Sequence, residues 1–406
     1  MQVRRATASP WLPVPPSPDG EPRSASFAGI SDALRAALAT TSNTPTGTTP
    51  LVPAVRIPLP TPSVSRLAPG YASYTRTARP ATSGARPSTF NAMFNSVGPG
   101  WSAADATYSI PLPDGKTLWL FGDTMINTVD AGGMHPHGGF VRNSAVLQHG
   151  SQFTTITRGS RAHPTSFLTP ADPKQWYWPG HGIADGDSIY LFMGKIKQVG
   201  TGAWGFAGAG SDLVQLNRSD LSVQHVTKLP GGDATTWGAS VLRDGAYTYI
   251  YGMESGPGPF DRWAKVARAA NGKLGGAWEY WNGSSWTKDS NKAAHIADGV
   301  SNSYSVFKTR TGYAMASQDI FFGTTLYART APTPAGPWSD WKVADQGPRK
   351  RTDQISYNAL VHPEFTSSGQ MLVSWNMNTT DGLLPTPDRA NRYRPVFRAV
   401  PQSKFE

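Results

Sequence analysis

The chain has 406 residues, 16% of them charged, a formal net charge of +10 and no cysteine. The missing cysteines exclude a disulfide framework, a thiolate metal site and a cysteine nucleophile. The charge excludes a nucleic-acid footprint: residues 1–94 hold nine Arg, no Lys and three acidic residues, so the excess lies mostly in that arm and no basic face is clustered elsewhere. Plentiful Gly (42), Trp (14) and Tyr (14) suit an all-β fold with many turns. Trp and Tyr faces also suit a carbohydrate-facing surface. No stretch approaches the ~18 apolar residues of a membrane span.

Residues 1–87, rich in Pro, Ser, Thr and Ala, read as a disordered arm stiffened locally by polyproline. Met1-Gln2-Val3-Arg4-Arg5 is basic, but no apolar run follows it, so no signal peptide is recognisable. Residues Ile30–Leu38 form a candidate short helix with Ser31 as N-cap. From residue 88 to 406 the composition shifts and a hairpin pattern recurs five times. The second strands are TLWLFGDT (117–124), SIYLFMGK (188–195), YTYIYGME (247–254), GYAMASQD (312–319) and MLVSWNMN (371–378), spaced by 71, 59, 65 and 59 residues. First strands are expected at 106–112, 180–185, 237–244, 301–308 and 357–364. Third strands are expected at 143–150, 211–218, 262–269, 325–332 and 393–400. Repetition of a three- or four-stranded unit at this spacing predicts a five-bladed β-propeller, with residues 89–97 supplying the fifth blade's outer strand. A β-sandwich with coincidental spacing is the alternative.

In a propeller the starts of first strands and the ends of second strands meet at one mouth. Asp105, Asp123, Lys195, Glu254, Asp319 and Asn376 should therefore converge. Asp105 and Asp123 flank one hairpin, whose turn is Pro113-Asp114-Gly115. A register centred on Asp114 puts the two Asp opposite each other, with Cβ atoms roughly 5 Å apart. A strict two-residue turn at Asp114-Gly115 puts them on opposite faces. Paired carboxyls suit glycosidic hydrolysis, where one protonates the leaving oxygen and the other attacks or activates water. The plainer reading is two structural strand-end Asp residues. Glu254 and Asp319 are candidate sugar-hydroxyl acceptors, or ordinary polar strand ends. Trp176, Trp178, His181 and Trp237 form a candidate stacking wall, or packing between blades. Arg142, Asn302 and Asn358 are candidate hydroxyl binders. Met134-His135-Pro136-His137 lies in a loop with no acidic partner nearby in sequence, so no metal site is assigned.

The segments WSAADATYSIPLPDGKTLWLFGDT and WPGHGIADGDSIYLFMGK, with the Tyr-Gly-Met of the third unit, resemble domain-of-unknown-function family 4185, associated with glycoside hydrolase family 183. The likeness covers roughly residues 90–400. It implies a five-bladed propeller that cleaves internal linkages of D-arabinan in mycobacterial-type arabinogalactan and lipoarabinomannan. It also implies that an Asp pair of the first blade does the chemistry, here Asp105 and Asp123. The expected protein is a monomeric, extracellular or envelope-acting glycosidase without a cofactor, a structural cation in the channel staying open. A mis-assigned start, a non-standard export route or a phage origin would account for the missing leader. A non-catalytic carbohydrate-binding propeller is the alternative from another class.

Overall fold

The computed structural model describes residues 64, 66–77, 89–96, 98–127, 129–130, 133–134, 139–201, 205–258, 260–320, 322–380 and 391–406. The candidate helix Ile30–Leu38 and the residues His135 and His137 lie outside them. The chain folds as an all-β protein, with five antiparallel sheets as its frame. The first runs, from its innermost strand outwards, through Tyr108–Pro111, Thr117–Phe121, Ser144–His149, Gln152–Gly159 and Tyr71–Thr77. The second holds Gln175–Asp185, Ser188–Gln198, Phe206–Asn217 and Val223–Lys228. The third begins Thr235–Asp244, Tyr247–Ser255, Arg262–Ala270, the fourth Tyr304–Lys308, Tyr313–Gln318, Leu326–Ala331, and the fifth is Gln354–Ser367, Gln370–Thr379, Pro395–Pro401. The first strands adjoin in order, sheet one against two, two against three, three against four and four against five, and the fifth returns to the first.

Each innermost strand turns one bare backbone edge towards its neighbour, and those groups need partners. Side chains of the adjacent first strand supply them. Ser240 Oγ accepts from Val306 N at 2.9 Å, and Ser305 Oγ accepts from Val361 N at 2.9 Å. His181 does the same between sheets two and three: Val241 N donates to its Nδ1 at 3.0 Å, and its Nε2 lies 3.2 Å from Ser109 O. Burial lowers the His181 pKa to about 4, which keeps the ring neutral and able to accept at Nδ1.

Two expectations change at the ring closure. Tyr71–Thr77 lies inside the segment read as a disordered arm, yet it pairs along the outer edge of the first sheet, Tyr71 opposite Arg158 through Thr77 opposite Gln152. Its alternation buries Ala72, Tyr74 and Arg76. Among the described residues of 89–97 none supplies an outer strand to the fifth sheet; Thr89–Phe94 is a helix. The Asn91 amide takes the place of a strand edge, donating to Phe397 O and accepting from Phe397 N, both at 2.8 Å. Phe94 is wholly buried among Trp101, Trp119, Phe121, Phe153 and Phe397. An aromatic plug outweighs strand extension here because it fills the wedge between the first and fifth sheets.

Candidate active site

The first hairpin is paired about Asp114, Tyr108 facing Leu120 and Pro111 facing Thr117. Gly115 takes φ +78° at the turn. Beyond Tyr108 and Phe121 regular pairing stops, then resumes in the same register in a separate three-stranded sheet, Ala104 facing Thr124 and Ala103 facing Met125. Asp105 and Asp123 sit in the gap between the two sheets, opposite each other, with Gly122 N donating to Asp105 O at 3.0 Å. The gap is strained: Ala106 and Thr107 take φ +75° and +57°. Each left-handed non-Gly residue costs roughly 1–2 kcal/mol. A Cβ at Gly122 would collide with Asp105 Oδ1, so the site needs that glycine.

The two carboxyls have different company. Asp123 accepts from Arg142 Nη1 at 3.0 Å and from Trp178 Nε1 at 2.9 Å. Asp105 accepts from Tyr357 Oη at 2.9 Å and bonds the phenol of Tyr393. Tyr357 in turn accepts from Asn378 Nδ2 at 3.2 Å. Burial raises the pKa of both carboxyls. At Asp105 the charge of Asp123 adds to burial and the phenols only partly offset it. At Asp123 the Arg142 guanidinium and the Trp178 indole oppose burial. Asp105 therefore binds its proton more tightly. A half-buried carboxyl without a cation, beside one that has a cation, makes a proton donor next to an anion.

Trp178 packs edge-on against Phe206 with centroids 4.8 Å apart, and the Arg142 guanidinium lies 4.5 Å from the Trp176 ring centroid. Trp176, Trp178 and Arg142 thus form one wall beside Asp123. Glu254 is paired with Lys265 and accepts from His295 Nε2 at 2.9 Å and Thr235 Oγ1 at 3.2 Å. Burial pushes its pKa up, but Lys265 and His295 outweigh burial and hold it below the usual value. Lys195 is spent on Asp212 at 2.7 Å. Asp319 folds onto its own loop, its N donating to Thr325 O at 3.1 Å, and lies near Lys350. Asn302 is exposed and accepts from Arg262 Nε at 3.2 Å. Asn358 is half-buried at φ +50°, in the bulge next to Tyr357.

Two members of the expected stacking wall are internal instead. Trp237 is 2% exposed, packs on Trp278 and Tyr280, and donates from Nε1 to Pro230 O. A bulge between Trp237 and Ser240 accompanies its placement in the core between sheets two and three. His181 is committed to the strand edges described above. Sequence reasoning missed Tyr357, Tyr393 and Gly122 as parts of the site. Only Gly122, inside Gly-Asp-Thr at a strand end, carried a local signal. Among the described residues no group of three or more His, Cys, Asp or Glu side chains is placed to hold a metal ion. No helix among them is long and apolar enough to cross a membrane.

The family described as "Domain of unknown function (DUF5005)" matches residues 87–402. The chain is 29% identical over 164 residues to notoamide biosynthesis cluster protein J of Aspergillus sp. (strain MF297-2), a stretch covering 38% of this chain and 42% of that protein. The fold is similar to that of a Bacteroides ovatus ATCC 8483 protein provisionally described as a hydrolase, with TM-score 0.64 and 20% identity over 77% of this chain and 88% of that one. An exo-beta-1,3-galactanase of Phanerochaete chrysosporium aligns at TM-score 0.44 and 12% identity, covering 74% of this chain and 66% of that one. The likeness to the Bacteroides ovatus protein, at 20% identity, carries the fold and not the chemistry.

Proposed function

The chain belongs to the DUF5005 family, and from that premise we propose that it is a glycoside hydrolase whose reacting groups are the carboxyls of Asp105 and Asp123. The observation that carries this reading is their unequal company. Asp123 holds a guanidinium and an indole N–H, both of which favour its anion. Asp105 is buried, has no cation beside it and faces the charge of Asp123, which its two phenols only partly offset, so it keeps the proton.

In the proposed reaction Asp105 gives its proton to the glycosidic oxygen as the bond from that oxygen to the anomeric carbon breaks. Asp123 either attacks the anomeric carbon, forming a glycosyl ester that water later cleaves, or takes a proton from a water that attacks directly. In the first course Asp105, now a carboxylate, accepts the proton of the incoming water. Carboxyls ~5 Å apart give retention and ~6.5–9.5 Å inversion; the cross-strand position favours retention. Tyr357, held by Asn378, keeps Asp105 turned towards its partner in either course.

The five sheets are read as the blades of a propeller, with residues 1–87 contributing an arm and one outer strand. The substrate is read as D-arabinan of mycobacterial-type arabinogalactan or lipoarabinomannan, cut at internal linkages. Support comes from the sequence likeness across the first two hairpins and from the aromatic wall at Trp176 and Trp178. Arg142, the cation of the site, is spent on Asp123, which suits an uncharged sugar. Such a substrate places the enzyme outside the cell or at an envelope, acting as a monomer. Incubation with mycobacterial arabinogalactan tests this directly. Released oligoarabinosides, lost in Asp105→Asn and Asp123→Asn, are the expected result. Saturable binding without release would replace the hydrolase by a carbohydrate-binding propeller.

A further inference from the structure

We infer that Asn376 is a positioning residue that, through Thr107, sets the Asp105 carboxyl opposite Asp123. The catalytic consequence rests on the hydrolase reading above; the tie itself does not. The chain must pass from the small sheet at Ala104 to the innermost strand at Tyr108 in three residues, and it does so through the left-handed pair Ala106 and Thr107. A β-branched residue is among the least tolerant of that conformation, and Thr107 is wholly buried in it. Its hydroxyl donates to Asn376 Oδ1 at 2.7 Å.

Asn376 is itself wholly buried, on the second strand of the fifth sheet. It stands opposite Tyr357, whose phenol bonds Asp105. The same residue therefore meets Asp105 by two routes, through the strained turn that carries its backbone and through the strand that carries its phenol partner. Asn376 Nδ2 has no hydrogen-bond partner in the protein. Reversing the amide would only exchange an idle donor for an idle acceptor. An apolar side chain of similar size would avoid that burden, so what the amide contributes here is its bond to Thr107.

The tie is tested with Thr107→Val, which keeps the shape and loses the hydroxyl, and Thr107→Ser, which keeps the hydroxyl. The titration of Asp105 is followed by carboxyl ¹³C NMR on the full chain labelled at Asp, its resonance identified by its loss in Asp105→Asn. Expected is a midpoint lowered by ~1 pH unit in the Val variant, as Asp105 leaves the field of Asp123, and unchanged in the Ser variant. On arabinan, kcat of the Val variant should fall roughly 10–100-fold with KM little changed, and the Ser variant should recover most of it. An unmoved Asp105 midpoint in the Val variant, or equal shifts in both, overturns the inference. A midpoint that moves as expected in a chain that hydrolyses no arabinan upholds the tie and sinks the arabinan-cleaving reading instead.

Discussion

Asp123 and Glu254 hold corresponding places, each at the end of the second strand of a hairpin whose first strand is innermost. Their surroundings push them in opposite directions. Glu254 gathers Lys265, His295 and Thr235 and is held as a committed anion below its usual pKa. Asp123 has one guanidinium and one indole, faces a second carboxyl, and is raised with it. A carboxylate surrounded by donors is a structural tie. Two carboxyls sharing too few donors can hold a proton between them at working pH. Position in a repeat therefore marks a candidate, and the count of donors around it separates reactivity from bracing.

Substitution at both places gives the widest separation. Asp105→Asn or Asp123→Asn should lower kcat/KM on arabinan by ~10³-fold or more, the scale of a lost acid, base or nucleophile. Glu254→Gln, assayed alongside for released reducing ends, should stay within several-fold of wild type. Equal losses at Glu254 would erase the difference between the two carboxylates. Next in size, Gly122→Ala should cost roughly 10²-fold in kcat, because its Cβ displaces Asp105 Oδ1. A fully active Gly122→Ala protein would show that Asp105 need not stand where it does.

A smaller effect follows at Tyr357. Its phenol lowers the Asp105 pKa, so Tyr357→Phe should move the alkaline limb of the pH–rate profile upwards while reducing kcat by ~10-fold. A limb that moves down, or stays, would take Tyr357 out of the acid's environment. The smallest effect is thermal. The raised pKa of Asp105 means that the folded state binds its proton more tightly than the unfolded state. That stabilisation is complete below the unfolded pKa and disappears as pH rises through the folded one. Asp105→Asn should thus raise Tm at pH 8 relative to wild type and lose the advantage below pH 4. The depressed Glu254 contributes the reverse, stability present above its unfolded pKa and lost as pH falls through the folded one. Glu254→Gln should lower Tm at pH 8. Both shifts should be a few °C at most, since 1 kcal/mol moves Tm by roughly 2–4 °C in chains of 150–250 residues. Calorimetry finding the same sign for both would contradict the opposed environments.

What was legible in the sequence was local. Alternation and turn chemistry located the hairpins, and the register about Asp114 could be proposed because only a few residues separate its partners. What was illegible depended on distant packing. Thr89–Phe94 carries a strand-like mixture of aromatic and polar residues, yet it is a helix because the gap between the first and fifth sheets takes a cluster of rings. Trp178 and Trp237 look alike at the starts of two first strands. One bonds Asp123 and the other fills the core between sheets. His181 looked like a ligand-facing residue and closes a strand edge, the task Ser240 and Ser305 perform in the next two sheets.

The sequence by itself determined the repeat, the strand ends and the singular placing of two Asp at one hairpin, because each is set by neighbours along the chain. Only the tertiary structure decided how the two carboxyls are partnered. It sets Tyr357 and Tyr393 at one oxygen pair and Arg142 and Trp178 at the other. Three of these four lie more than fifty residues from the Asp they touch. Hydrogen bonds and charge act through space over a few ångströms, and no spacing along the chain records them until the ring of sheets has closed.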